Sequence, residues 1–222
     1  MSNSNLKSNS CAVIPFFNEK DFLFDVVTET LKYVDAVIAV DDGSIDGSAK
    51  LVAEIKNVHL ISLKKNFGKG YALQIGFVEA INKNYDSIVT LDADKQHDPI
   101  LIPEFLLQLN SYDVVIGNRL NDLSEMPIQR IFSNKITSYL LSIKTGYKIL
   151  DSQCGYRAYR NNVIRKVKTV SNGYEAESEM IIYAARNGFS IGFVEIPTIY
   201  GFEKSKMNPL SAISGFIKIL FK

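Results

Sequence analysis

Short apolar runs rich in β-branched residues alternate with stretches whose apolar positions recur every three or four residues. The runs are Cys11 to Phe17 (CAVIPFF), Ala36 to Asp41 (AVIAVD), Val58 to Leu63, Ser87 to Asp92 (SIVTLD) and Val114 to Gly117. Near-continuous apolar strands are buried on both faces, as parallel strands are. The helical stretches between them are Asp21 to Tyr33, Ser48 to Lys56 and Gly70 to Asn82, and Pro99 suits the first turn of a fourth helix. This alternation predicts right-handed crossovers and a doubly wound α/β sheet.

The second half is less regular. Met126 to Tyr147 predicts a long helix, Tyr174 to Asn187 another with Gly188 as its stop, Ser190 to Ile196 a strand, and Pro209 to Lys222 a last helix. Met1 to Ser10 is polar, Ser/Asn-rich and lacks the apolar segment of a secretory signal, so it is expected to be a disordered lead-in. No linker or repeat divides the rest. We therefore expect one domain over residues 11–222, made of a regular α/β half (11–120) and a smaller α+β half (121–222).

Ligands of such sheets sit at the carboxyl ends of the strands. Four expected strands carry polar groups there: Asn18 and Glu19; Asp41, Asp42 and Ser44; Asp92 and Asp94; Asn118 and Arg119. One solvated loop is unremarkable, but four converging on one rim suggest a site. The 25 basic and 24 acidic residues balance, which argues against a nucleic-acid partner. Two cysteines, Cys11 and Cys154, make neither a disulfide framework nor a zinc site, and reduced thiols are expected. No run approaches the ~20 apolar residues of a membrane span, so a cytoplasmic protein is expected, with a peripheral place on the inner face of the cytoplasmic membrane left open.

LDADKQHDP (Leu91 to Pro99) carries the most chemistry. Two carboxylates two residues apart on an extended chain point the same way and can share a divalent cation. A diphosphate leaving group calls for Mg²⁺ or Mn²⁺ there. Asp92 and Asp94 are the expected ligands and Gln96 a neutral third; His97 reads more simply as a solvated side chain. In VIAVDDGSIDGS (Val37 to Ser48), Asp42 suits a base or ribose, while Asp42, Ser44 and Asp46 also suit capping of the next helix. NFGKGYAL (Asn66 to Leu73) is not a phosphate loop: Leu63 stands where its first glycine would be, and Gly70 where Ser or Thr is required. A tight turn into a helix remains, with Lys69 near phosphate or near the sheet rim. Arg119 suits phosphate binding, and Lys206 is a second candidate cation.

Together these segments resemble glycosyltransferase family 2, of the GT-A fold, and most resemble bacterial enzymes related to dolichyl-phosphate mannose synthase. VIPFFNE, VDDGSIDGS, NFGKGYAL, LDADKQHDP, IGNR, DSQCGYRAY and SKM occur in the family's order from Val13 to Met207. The resemblance implies an inverting transfer from a UDP- or GDP-sugar. It implies that Pro15, Phe17 and Glu19, then Val40 and Asp42, hold the nucleoside, with Phe17 where the family often has Tyr. Asp92, Ala93, Asp94 and Gln96 match the metal and diphosphate positions. Arg119 and Lys206 match cations near the phosphates and the acceptor, and Gln153, Cys154, Gly155 and Arg157 the sugar pocket or its floor. The implied acceptor is a polyprenyl phosphate, within cell-envelope synthesis. A sugar hydroxyl in cell-surface polysaccharide synthesis, or a non-catalytic nucleotide-sugar-binding role, is the alternative. A sugar nucleotidyltransferase would want a glycine-rich, arginine-bearing loop after the first strand, where Asn18-Glu19-Lys20 stands.

GYEAESEM (Gly173 to Met180) starts a helix with Glu175, Glu177 and Glu179, which the helix dipole favours. Glu175 or Glu177 is the candidate general base. A hydroxyl acceptor needs one, whereas a phosphate monoester, with a second pKa of about 6, does not. The helices over 126–148 and 209–222 mix lysines with apolar residues, a pattern that fits core, a homo-oligomer face or an anionic bilayer.

Overall fold

The computed structural model describes residues 9–121, 123, 126–199 and 209–221. Lys206 and the SKM segment lie outside the described residues, as do Met1 to Ser8. Among the described residues seven strands form one sheet: β1 (Ser10–Phe16), β2 (Ala36–Asp41), β3 (Val58–Ser62), β4 (Ser87–Thr90), β5 (Val114–Asn118), β6 (Arg157–Arg160) and β7 (Ile191–Glu195). Their order is β3-β2-β1-β4-β6-β5-β7. All neighbours are parallel except β6, which runs antiparallel to both β4 and β5. Helices α1 (Leu23–Thr30), α2 (Ser48–Val52), α3 (Lys69–Asn82), α4 (Ile102–Gln108), α5 (Ile128–Thr145), α6 (Asn161–Lys166), α7 (Glu175–Arg186) and α8 (Pro209–Leu220) complete the fold. A single 3₁₀ turn, Pro99–Leu101, precedes α4.

The expected mostly parallel α/β sheet is present, with four differences. Ser10, assigned to the lead-in, already pairs in β1 opposite Ser87. β4 stops at Thr90, so Asp92 and Asp94 lie in a turn and not on an extended strand. Pattern reading did not predict α6. It also did not predict β6, because Arg157, Tyr159 and Arg160 break the apolar run. The family resemblance alone pointed to a strand in DSQCGYRAY.

Register places the rim. Phe16 pairs with Asp41 and Asp41 with Ser62, so β1, β2 and β3 end level. Thr90 pairs with Val13, three residues before the end of β1. The turn carrying Asp92 and Asp94 therefore starts below the level at which β1 ends. Because β6 is antiparallel, its first residue, Arg157, faces Thr90, the last of β4. That reversal brings the Ser152 to Gly155 segment to the same rim, where the Thr90 hydroxyl donates to the Gly155 carbonyl at 2.9 Å.

Arg157 is fully buried. Its guanidinium donates to the carbonyls of Cys154 (2.7 Å), Glu177 (2.6 Å) and Ser152 (2.9 Å). One cation thus ties the start of β6 to the first turn of α7 and satisfies three carbonyls removed from water. Arg157→Met keeps the volume but strands them, and should cost about 3–5 kcal/mol of stability. Urea unfolding followed by circular dichroism checks this; a loss under about 1 kcal/mol would contradict it.

Candidate active site

The loops after β1 and β2 are laced together. Asn18, in the left-handed region at φ 54°, receives a hydrogen bond from the Ile45 N–H on its side-chain oxygen, and its own N–H donates to the Ser44 hydroxyl. Asp46 accepts from the Lys20 N–H and from both the N–H and the hydroxyl of Ser48, tying the two loops to the start of α2. Asp41 accepts from the Ser44 N–H at 2.7 Å. Asp42 does something different from its neighbours. Its two oxygens accept from the Phe67 and Gly68 N–H groups at 2.7 and 2.8 Å, latching the turn that leads into α3. Burial raises its carboxyl above the ordinary range even though those N–H groups pull the other way. Among the other residues expected at the nucleoside, Pro15 and Val40 are buried strand residues, so their side chains belong to the core. Phe17 and Glu19 are half-buried at the rim.

The glycines of NFGKG have a packing role. A Cβ on Gly70 would come within 2.5 Å of the Ala176 Cβ and 2.6 Å of the Gly173 carbonyl oxygen. The Tyr71 N–H and the Gln74 side chain donate to the carbonyls of Asn172 and Ser171. The start of α3 is thereby pressed against the approach to α7, and Lys69 lies between them and the β4 turn. Its Nζ is 2.6 Å from Asp92 Oδ1 and 3.2 Å from Glu177 Oε1. Burial opposes the lysine's charge, but Asp92 and then Glu177 hold its pKa above the usual range. A Cβ on Gly155 would sit 2.8 Å from Lys69 Nζ, 3.0 Å from Asp92 Oδ2 and 3.0 Å from Glu177 Oε1. Only a residue without a side chain leaves room for this trio against β6.

Burial alone would raise the Asp92 carboxyl; Lys69, ahead of His97 and Arg119, reverses this and leaves it at about 2. Asp94 has no such partner. Burial, then the charge of Asp92, push its carboxyl up to about 6, although it accepts from the Gln96 N–H at 3.0 Å. Of two aspartates two residues apart, one is thus firmly ionised, while burial and its neighbour's charge oppose ionisation of the other. Ala93 between them is buried.

His97 is not solvated. It is buried, stacks near Tyr156 with ring centroids 5.1 Å apart, and its Nδ1 accepts from the Asp92 N–H at 3.1 Å. Burial lowers its pKa to about 4, so the ring is neutral and fixes the backbone of the turn.

Arg119 is held by a bidentate pair with buried Asp151, Nε to Oδ2 at 2.8 Å and Nη2 to Oδ1 at 3.1 Å. Asn134 of α5 donates to the same carboxylate at 2.6 Å. Burial works against the Asp151 charge, but Arg119 outweighs it and keeps the carboxyl below its usual range. Gln153 reaches outward to Ser133 and Thr137 on α5, and burial pushes the Cys154 thiol up to about 12, which leaves it inert. Glu175 and Glu177 part company. Glu177 joins Lys69, whereas the Glu175 carboxylate packs at Gly173 and Gly215, since a Cβ on either would come within 2.8 Å of it. Glu179 accepts from the Val170 and Ser171 N–H groups.

With this geometry in hand, the sequence matches the family model for glycosyl transferase family 2 over residues 11–168. The chain belongs to that family. It is 31% identical over 234 residues to a UDP-N-acetylglucosamine–dolichyl-phosphate N-acetylglucosaminyltransferase of Methanococcus voltae, covering 95% of this chain and 92% of that one. It is 31% identical over 205 residues to an undecaprenyl-phosphate mannosyltransferase of Micrococcus luteus, covering 85% and 82%. The fold is also that of glucosyl-3-phosphoglycerate synthase from Mycobacterium tuberculosis, solved with Mn²⁺, UDP-glucose and phosphoglyceric acid. The TM-score is 0.72 at 17% identity, over 96% of this chain and 79% of that one. The protein is thus a glycosyltransferase with a GT-A-type sheet.

Lys69 was expected near phosphate or near the sheet rim; its ion pairs with Asp92 and Glu177 could not be read from its motif. Gly155→Ala isolates that cluster. The crowded atoms are the far ends of flexible side chains, so stability should fall by only about 1 kcal/mol. Displacing the trio should lower kcat/KM by about tenfold or more. A melting curve beside a steady-state assay separates the two effects; wild-type turnover in Gly155→Ala would contradict the assignment.

Proposed function

We propose that residues 11–222 act as one domain that transfers a sugar, with inversion and with a divalent cation, from a UDP- or GDP-sugar to a polyprenyl phosphate. The observation that carries this reading is the place of the turn after β4, which brings Asp92 and Asp94 to the rim where β1 and β2 also end, in a chain of glycosyl transferase family 2. Burial and the charge of Asp92 raise the Asp94 carboxyl, a repulsion that a cation beside the two would relieve. Among the described residues no three His, Cys, Asp or Glu side chains converge as a metal group. That fits Mg²⁺ or Mn²⁺, which take one or two carboxylates and leave the remaining positions to phosphate oxygens and water. Asp92 and Asp94, with Gln96 as a neutral third donor, would hold the ion. Bound there, it supplies charge neutralisation on the departing diphosphate.

The chain's own residues would do the rest. Asp42, with Pro15, Phe17, Glu19 and the backbone at Val40, lies at the ends of β1 and β2 where a nucleoside would fit. Lys69 and Arg119 are fixed cations beside the carboxylates, and Lys206 is a third candidate. An acceptor phosphate oxygen would attack the anomeric carbon on the face opposite the leaving diphosphate, so the configuration inverts. That oxygen is already ionised near neutral pH, its second pKa being about 6, and needs no base. Glu177, engaged by Lys69, then has a positioning role. The similarity to polyprenyl- and dolichyl-phosphate enzymes supports this acceptor and a place in cell-envelope or lipid-linked sugar synthesis. No helix among the described residues is long and apolar enough to cross a membrane. The acceptor lipid would be met on the inner face of the cytoplasmic membrane.

The test is transfer from UDP- and GDP-sugars to a short-chain polyprenyl phosphate, with Mn²⁺ or Mg²⁺ and with chelator. Activity should require the cation and vanish in Asp94→Ala. Glu177→Gln, which keeps the hydrogen-bond acceptor, should retain turnover within about tenfold. A loss of ~10²-fold or more would indicate a hydroxyl acceptor instead, and cation-independent transfer would contradict the metal assignment.

A further inference from the structure

Helix α5 has two faces of opposite character. Asn134, Ser138 and Leu141 are buried, and Asn134 completes the Asp151–Arg119 clamp. On the other side Ile128, Phe132, Ile136, Tyr139 and Ile143 are each 56–68% exposed. At about 100° per residue these five fall within an arc of roughly 80°. Isolated exposed apolar side chains are ordinary, but an unbroken stripe over four turns marks a contact surface.

A second stripe lies alongside. On and just after α8, Ile213, Ile217 and Phe221 recur every fourth residue and are 58%, 49% and 87% exposed. The helices meet where Lys144 donates to the Leu220 carbonyl at 2.8 Å; one residue before Lys144 is Ile143, and one after Leu220 is Phe221. The charged residues within the two helices have one sign. Ile128 to Thr145 and Pro209 to Leu220 contain Arg130, Lys135, Lys144 and Lys218 and no Asp or Glu. In a chain with 25 basic and 24 acidic residues, that is a local excess. Lys135 lies about 20° from the edge of the α5 stripe, well placed to stay at headgroup level while its neighbours insert.

We infer that α5 and α8 dock the protein on an anionic lipid bilayer through these two apolar stripes. Burial of the aliphatic and aromatic side chains at the acyl boundary, with lysines at anionic headgroups, is the balance that holds interfacial helices. Uniform positive charge disfavours the same face meeting its own copy, since each cation would approach another. The inner side of α5 braces Arg119, so docking would bring that residue to about one helix width, some 10 Å, from the headgroup layer. The purpose of the contact rests on the proposed polyprenyl phosphate acceptor; the docking itself rests on the surface alone.

Vesicle flotation of the full chain near physiological salt tests it. Wild-type protein should float with equimolar phosphatidylcholine–phosphatidylglycerol vesicles and only weakly with phosphatidylcholine alone. F132D/I136D, which alters solvent-facing positions only, should bind at least about tenfold more weakly with an unchanged melting temperature. If that variant fails to fold, Tyr139→Ser and Lys135→Glu should each give a smaller, measurable loss. Both F132D/I136D and wild type should transfer sugar equally to a short-chain, water-soluble prenyl phosphate. No flotation by the wild type, equal flotation by F132D/I136D, or a dimer that the variant splits without any vesicle binding would overturn the inference. Flotation without transfer to any prenyl phosphate would support the docking and overturn the acceptor.

Discussion

The arrangement depends on one half-buried lysine. Lys69 meets Asp92 at 2.6 Å and Glu177 at 3.2 Å, and in doing so joins three parts of the chain that are far apart in sequence: the start of α3, the turn after β4 and the first turn of α7. A partly buried ion pair is weak evidence for stability, since desolvation and solvent screening offset most of its attraction. Its value here is geometric. It fixes where the Asp92 carboxylate lies and keeps it charged, and it does so beside Asp94, which lacks such a partner. Around it the neighbours are chosen for fit: Gly70 lets α3 approach α7, Gly155 leaves room against β6, and His97 holds the Asp92 N–H.

Support extends outward in two directions. Toward β2, Asp42 latches the turn immediately before Lys69. Toward β6 and α5, Arg157 anchors the Glu177 carbonyl while Asp151 and Asn134 clamp Arg119. Buried charges are therefore concentrated behind one rim of the sheet, each with its hydrogen bonds made. This is how a folded chain holds charged groups out of water without losing stability to them.

Much of this was legible in the sequence. β2 is the expected Ala36 to Asp41, and α3 begins one residue before its expected start, because buried parallel strands and long periodic helices give strong patterns. β6 was hidden because a central strand that starts with a buried arginine does not look apolar. The rim convergence was readable because loops after parallel strands must emerge together. The wiring was not. Asp42, read as a nucleoside ligand or a helix cap, also latches the turn before α3, and His97 was expected in solvent but is buried. Glu175 and Glu177 are two residues apart on one helix, about 200° around it, so both could not face the same place; that geometry was available from spacing alone.

The central claim is that the turn carrying Asp92 and Asp94 holds a divalent cation, through one or both carboxylates, against a nucleotide diphosphate. Crystals grown with Mn²⁺ and UDP or GDP, measured at the manganese absorption edge, test it directly. The account predicts an anomalous peak within about 2.0–2.3 Å of oxygens from Asp94 or Asp92 and from the diphosphate, as hard cations of this size require. A bound nucleotide whose diphosphate lies away from that turn, or a manganese peak that touches neither aspartate, would contradict it.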